Sequence, residues 1–185
     1  EEFQWQTEQF ADIKILRYQV PGWDDLTPNQ RMYAYYLNEA GLAGRDLTWD
    51  LNYRHNLEIR NTLEAVYASF DGDKTTDDWT AFETYLKRIW FSNGIHHHYG
   101  NVKFDPGFSQ DYFTGLCEAT GSSLSEEATR AVFDPEFDAK KVEQDDADRL
   151  VEGSAINFYA PDITTADAVG YLASITDSSD RAPVS

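Results

Sequence analysis

Cysteine is nearly absent from this chain. Cys117 stands alone, so no intrachain disulfide can form. That fits a reducing compartment without requiring one. Cys117 follows Leu116 in an apolar helical pattern and reads as a buried, inert thiol. Positive charge is also scarce: 15 Lys and Arg stand against 33 Asp and Glu, a formal charge of −18. Such a surface repels a polyanion unless a local basic patch exists. The densest basic spot is Lys87-Arg88 in "YLKRIW", so no nucleic acid partner is expected. The acidity itself reads as a device for solubility. Long apolar runs are missing, and nothing approaches the ~18 residues that a membrane helix needs. No membrane span is therefore expected. No signal peptide is visible, although the acidic opening "EEFQWQTEQF" would equally suit a chain whose leader has been removed.

The usual catalytic signatures are lacking too. There is no HExxH, no CxxC, no GxSxG elbow, and neither glycine-rich nucleotide fingerprint. Cys117 has no evident histidine partner to activate it. The acidic pairs Asp24-Asp25, Asp77-Asp78 and Asp145-Asp146 are most simply helix starts or solvated loops. "DGDK", Asp71 to Lys74, begins like a calcium loop, but the remaining ligands are missing and it reads as a turn.

What the chain does have is apolar and aromatic residues. Hydrophobic types make up 41% of its 185 residues, enough to build a core in one domain or in one large piece of a bigger one. The pattern predicts a mainly α fold with one or two short strands (α+β). "DIKILRYQV", Asp12 to Val20, reads as a strand ending at Pro21-Gly22 and wanting partners. "LTPNQRMYAYYLNEAGLAGRD" reads as a helix with Thr27 as N-cap, Pro28 at its first position and Gln30 closing a capping box. Tyr33, Tyr36, Leu37 and Ala40 form one stripe on it. A second helix carries Ile59, Leu63, Val66, Tyr67 and Phe70 on its buried face. A third starts near Thr76, with Asp77 and Asp78 in its first turn, where the helix dipole favours acids. Its face is Trp79, Phe82, Leu86, Ile89 and Trp90, and Gly94 is its expected stop. Short helices follow from about Ser109 and before Pro135. Residues 138–153 are charged and expected to be exposed. "SAINFYAP" suits a strand or an extended segment. A last helix, capped by Thr164 or Thr165, points Ala168, Leu172 and Ile175 inward. Residues 176–185 read as a polar linker or tail.

Three of the four histidines lie side by side in "FSNGIHHHYG". On a helix, neighbouring side chains diverge by about 100° and cannot share one ion. In an extended segment His96 and His98 share a face, and zinc would still need a third or fourth ligand. His55 or an acid would have to supply it. Two other readings stay open on the residues alone. The loop lines a cleft, where imidazole and tyrosine hydrogen-bond a peptide. Or the histidines only cap the preceding helix and bind backbone.

"LTPNQRMYAYYLNEAGLAGRD", "NYRHNLEIRNTLEAVY", "AFETYLKRIWFSNGIHHHYGNVKFDPGF" and "AINFYAPDITTADAVGYL" resemble, in that order, the N-terminal region of dipeptidyl peptidase III. This is the M49 family of zinc metallopeptidases, and the resemblance is to its Bacteroidetes-type members, from about Phe3 to Ser185. It implies a two-lobed enzyme that releases dipeptides from the N-terminus of oligopeptides in a wide cleft. The zinc sits on a helical upper lobe, through an HExxGH motif and a downstream glutamate. Those residues would follow Ser185, so the resemblance implies no catalytic or metal-binding residue here, no cofactor in this segment and no activity for it alone. Residues 1–185 would form part of the lower lobe, its sheet completed by later sequence, and its partners would be an oligopeptide substrate and the zinc-bearing lobe. The resemblance further implies that Tyr99 helps to wall the pocket for the substrate's N-terminal residue. Asn93, Gly94 and Gly100 belong to the turn that presents it, and His98 lies beside it. Other branches carry different polar residues at the histidine positions, which argues against a shared metal role. The family is commonly cytoplasmic, with a periplasmic or surface location as the alternative. A different class of reading is a free-standing binding module derived from the same lobe.

Overall fold

The computed structural model describes residues 3–175; the proposed polar tail at 176–185 lies outside them. The fold is mainly α with one short antiparallel pair of strands, β1 (Gln6–Phe10) and β2 (Ile13–Leu16). Phe10 pairs with Ile13 across a two-residue turn, with Ala11 at φ 47°. The strand expected over Asp12 to Val20 thus stops at Leu16. Its partner comes from "QTEQF", a polar stretch whose place in the sheet is set by backbone pairing.

Seven α-helices follow among the described residues: α1 (Pro28–Ala43), α2 (Arg45–Asn52), α3 (Asn56–Ser69), α4 (Asp77–Ser92), α5 (Gln110–Thr120), α6 (Glu126–Phe133) and α7 (Thr165–Ile175). Their starts follow hydroxyl chemistry. Thr27 and Gln30 make the reciprocal capping box with Pro28 inside it. Thr76, Ser109 and Ser125 accept from Trp79, Tyr112 and Ala128 main-chain N–H groups. Thr164 and Asp167 bond reciprocally at the start of α7. No helix among the described residues is long and apolar enough to cross a membrane.

The core is built by α3, α4, α5 and α6. Ile59, Leu63 and Val66 of α3 meet Phe82, Leu86 and Ile89 of α4, all buried. Each such side chain contributes about 1.5–3 kcal/mol of hydrophobic stabilisation. A run of rings continues from Phe70 over Trp79 and Phe82 to Phe108, Phe113 and Phe133, with successive centroids 5.0–6.4 Å apart. Trp90, expected on the same face, is 39% exposed and donates to Glu64 Oε1 at 2.8 Å.

The two ends of the chain behave differently. The stripe on α1 is apolar but covers nothing: Met32, Tyr33, Tyr36 and Leu37 are all exposed, and α1 has no buried residue. On α7, Leu172 and Ile175 are exposed instead of pointing inward. The segment over 138–153, expected to be exposed, instead buries Glu143 and Val151, and "SAINFYAP" forms loop and turn. Glu143 accepts from Lys140 Nζ at 2.8 Å and from Asp145 N–H, which holds its carboxyl down at about 2.

Candidate functional site

Helix α4 ends at Ser92. The stop is Asn93, in the left-handed region at φ 52°, one residue before the expected Gly94. Asn and Gly are the residues that tolerate that region. Gly94 itself sits at φ 148°, pressed against Asn56 from the start of α3. Asn56 is buried and fully used. Its Nδ2 donates to Trp49 O at 3.1 Å, and its Oδ1 accepts from Ile95 N–H at 3.1 Å. Asn52 Nδ2 donates to Asn93 O at 3.0 Å. The chain therefore leaves α4 through a fixed elbow held by two asparagines that sequence patterns did not single out.

Beyond the elbow lies a small hairpin. Phe104 N–H donates to Ile95 O at 2.9 Å and His97 N–H to Val102 O at 2.7 Å. A third extended segment joins its outer arm, with Lys103 N–H donating to Ala139 O at 3.0 Å and Lys141 N–H to Asn101 O at 2.7 Å.

The three histidines are used in three ways. His96 is core, 2% exposed, with its ring edge-on to Tyr53 at 5.3 Å. Its Nε2 lies 2.8 Å from Asp138 O, and its Nδ1 is buried with no hydrogen-bond partner. Burial pushes the imidazole down to about 4, so the neutral ring donates from Nε2 to that carbonyl. His97 folds the turn: its Nδ1 accepts from Gly100 N–H at 2.9 Å and Tyr99 N–H at 3.2 Å. His98 stacks on His97 at 4.6 Å and meets Phe91 edge-on at 5.0 Å. Its Nδ1 lies 3.3 Å from Ser92 Oγ. Desolvation first, then the neighbouring His97, holds the His98 ring below its ordinary value.

Tyr99 crowns this stack. Its ring lies 4.4 Å from that of His98 and is 84% exposed. Tyr99, His98 and Gly100 thus come together at the tip, while Asn93 and Gly94 lie at the base and act through backbone and packing. A cleft of about 420 Å³ opens beside the outer arm, lined by Val102, Phe104, Pro106, Phe133 and Pro135 among others.

The three rings are engaged separately: His96 Nε2 faces Asp138 O in the core, His97 Nδ1 faces the turn amides, and His98 Nδ1 lies beside Ser92 Oγ. No group of three or more His, Cys, Asp or Glu side chains able to hold an ion occurs among the described residues. Cys117 on α5 is buried, and burial pushes its thiol up, away from nucleophilic use. What the arrangement offers is an exposed tyrosine beside a half-buried imidazole on a braced support, suited to holding a ligand by stacking and hydrogen bonds. No known family model matches the chain, and no curated protein matches it either.

Proposed function

We propose that this chain is the N-terminal, lower-lobe segment of a zinc-dependent dipeptidyl peptidase of the M49 type, and that its His97–Gly100 turn forms one wall of the peptide cleft. The observation that carries the reading is Tyr99. A large ring stands 84% exposed on a turn braced from below by buried Asn56 and His96. Loops held this firmly on a rigid scaffold are where binding side chains are usually found. The motif "WFSNGIHHHYGN" resembles that family, and Tyr99 is the residue in it that a peptide would meet. Exposed apolar residues on α1 support a segment that packs against further protein, here the zinc-bearing lobe.

In this reading the zinc and the hydrolytic groups come from other sequence, and no chemical step is assigned to residues 1–185. The family's compartment would be the cytoplasm, or the periplasm or cell surface if a leader is removed.

The test is isolation from the source cells with an antibody against the Tyr99 turn. A species several times larger than 21.1 kDa that releases dipeptides from a peptide with a free N-terminus, and stops when zinc is chelated, supports the proposal. A species near the chain's own mass that binds peptide without cleaving it replaces it with the binding-module reading.

A further inference from the structure

The resemblance gives no role to His97, yet its ring is the hydrogen-bond acceptor on which the tip of the hairpin is folded. Two main-chain N–H groups, those of Tyr99 and Gly100, converge on one imidazole nitrogen, Nδ1. A ring that accepts at Nδ1 carries its proton on Nε2. A doubly protonated imidazole has no acceptor left, and its new N–H would face two others. Asn101, at φ 58°, closes the same turn by donating its N–H to His97 O at 3.1 Å.

We propose that His97 is a proton-sensitive positioning residue for Tyr99: the neutral ring folds the turn that presents Tyr99, and protonation at Nδ1 releases it.

The surroundings give that change few ways to be absorbed. His97 lies between the His98 ring on one side and the edge of Phe104, at 5.8 Å, on another. A charge on one stacked imidazole opposes a charge on the other. The charged groups acting on His98 come from two other elements: Lys141, which adds to the repulsion, and Asp12 in the turn between β1 and β2, which partly offsets it. Lys103, on the hairpin's outer arm, turns its Nζ away to the carbonyls of Asp134 and Phe137. From α4 the pair meets Phe91 and Ser92, and Arg88 of the same helix lies over the Phe104 ring and is ion-paired with Asp12 at 3.0 Å.

The consequence for peptide binding rests on the reading of Tyr99 given above, so the experiment separates the two. In the 185-residue chain, amide-exchange protection at Tyr99 and Gly100 is measured by NMR from about pH 8 to about pH 5. Wild type, His97→Asn and His97→Ala are compared, with amides of α4 as the control for general unfolding. An asparagine carbonyl can accept the same turn amides and does not titrate. Wild type should lose roughly tenfold of its protection on acidification, the size expected for about one net hydrogen bond. His97→Asn should keep its protection at both ends, and His97→Ala should be low throughout. Protection that stays unchanged in acidified wild type, or in His97→Ala, overturns the proposal.

In parallel, binding of a fluorophore-tagged penta-alanine with a free N-terminus is followed in the same samples. Affinity that tracks the amides supports both readings. No binding at any pH, with the amides still switching, supports the His97 role and overturns the peptide-wall role of Tyr99.

Discussion

The carboxamide of Asn56 occupies the place where a side chain on residue 94 would begin. A Cβ added to Gly94 would lie 2.3 Å from Asn56 Nδ2 and 2.8 Å from its Cγ. Asn56 cannot retreat without giving up its bonds to Trp49 O and Ile95 N–H. Gly94 also sits at φ 148°, which L-residues avoid. Gly94→Ala should therefore destabilise the chain by about 2–4 kcal/mol. Asn56→Ala should cost about 2–3 kcal/mol through its lost buried hydrogen bonds. In Asn56→Ala the clash is gone, so adding Gly94→Ala to it should cost less than it does alone. Urea unfolding of the four proteins checks this, and strict additivity would mean that the two residues do not share the space.

His96 makes stability depend on pH. Its folded-state value, about 4, lies below the roughly 6.5 of a free imidazole. The unfolded chain therefore takes up a proton first as pH falls. Stability should drop by about 2 kcal/mol between about pH 6.5 and about pH 5, and the loss should level off below the folded-state value. Carboxylates such as Glu143, held at about 2, weaken the fold only as pH falls below their ordinary range. The upper window thus separates the histidines from the carboxylates; His55 and His98, also held below their ordinary values by desolvation, add to the same slope, and the variant removes the share of His96. His96→Gln keeps a donor for Asp138 O and does not titrate, so its urea midpoint should change far less across that window. An equal slope in wild type and variant would place the titration elsewhere.

The cap at Ser125 is bound to a neighbouring helix by a carboxylate, and the cap at Thr76 by a phenol. Ser125 Oγ accepts from Ala128 N–H at 3.2 Å, while its own N–H and hydroxyl both donate to the Glu58 carboxylate on α3, at 2.6 and 3.0 Å. Thr76 accepts from Trp79 N–H within α4, and its side chain also hydrogen-bonds Tyr112 of α5. Thr76→Ala should cost about 1 kcal/mol, and Ser125→Ala about 1–2 kcal/mol. Glu58→Gln should weaken only the second site. Equal losses at the two caps would show that the carboxylate link adds no more than the phenol one.

The parts of the fold written into local chemistry are legible in the sequence. Thr27, Thr76 and Ser109 mark helix starts because a hydroxyl before an apolar period has one well-defined use. Ile59, Leu63 and Val66 declare the buried face of α3 by spacing alone. Periodicity cannot say what covers a face, however, so Tyr33 and Tyr36 read like core although they stand in solvent. "QTEQF" carries no alternation that would announce a strand. At the site, the exposed Tyr99 turn is suggested by its motif. The split of three adjacent histidines into a core residue, a turn acceptor and a stacking partner depends on Tyr53, Asp138 and Ser92, none of them readable as neighbours from the sequence.

Helix α1 makes the final expectation. It is a capped, sixteen-residue helix with no buried side chain. Met32 and Tyr36 lie one turn apart, 53% and 62% exposed, beside Tyr33 and Leu37. Apolar surface in a stripe of this kind is characteristic of a face that meets other protein. The chain by itself should associate as its concentration rises, which sedimentation would detect. Met32→Glu with Tyr36→Glu should move it toward monomer. Neither side chain is buried, so the urea midpoint should stay within about 0.5 kcal/mol of wild type. If the wild-type chain remains monomeric at high concentration, α1 tolerates solvent, and the reading of this segment as one that packs on a further lobe loses that support. If the double variant unfolds more easily instead, α1 contributes to the fold of this chain, and its exposure is not that of an interface.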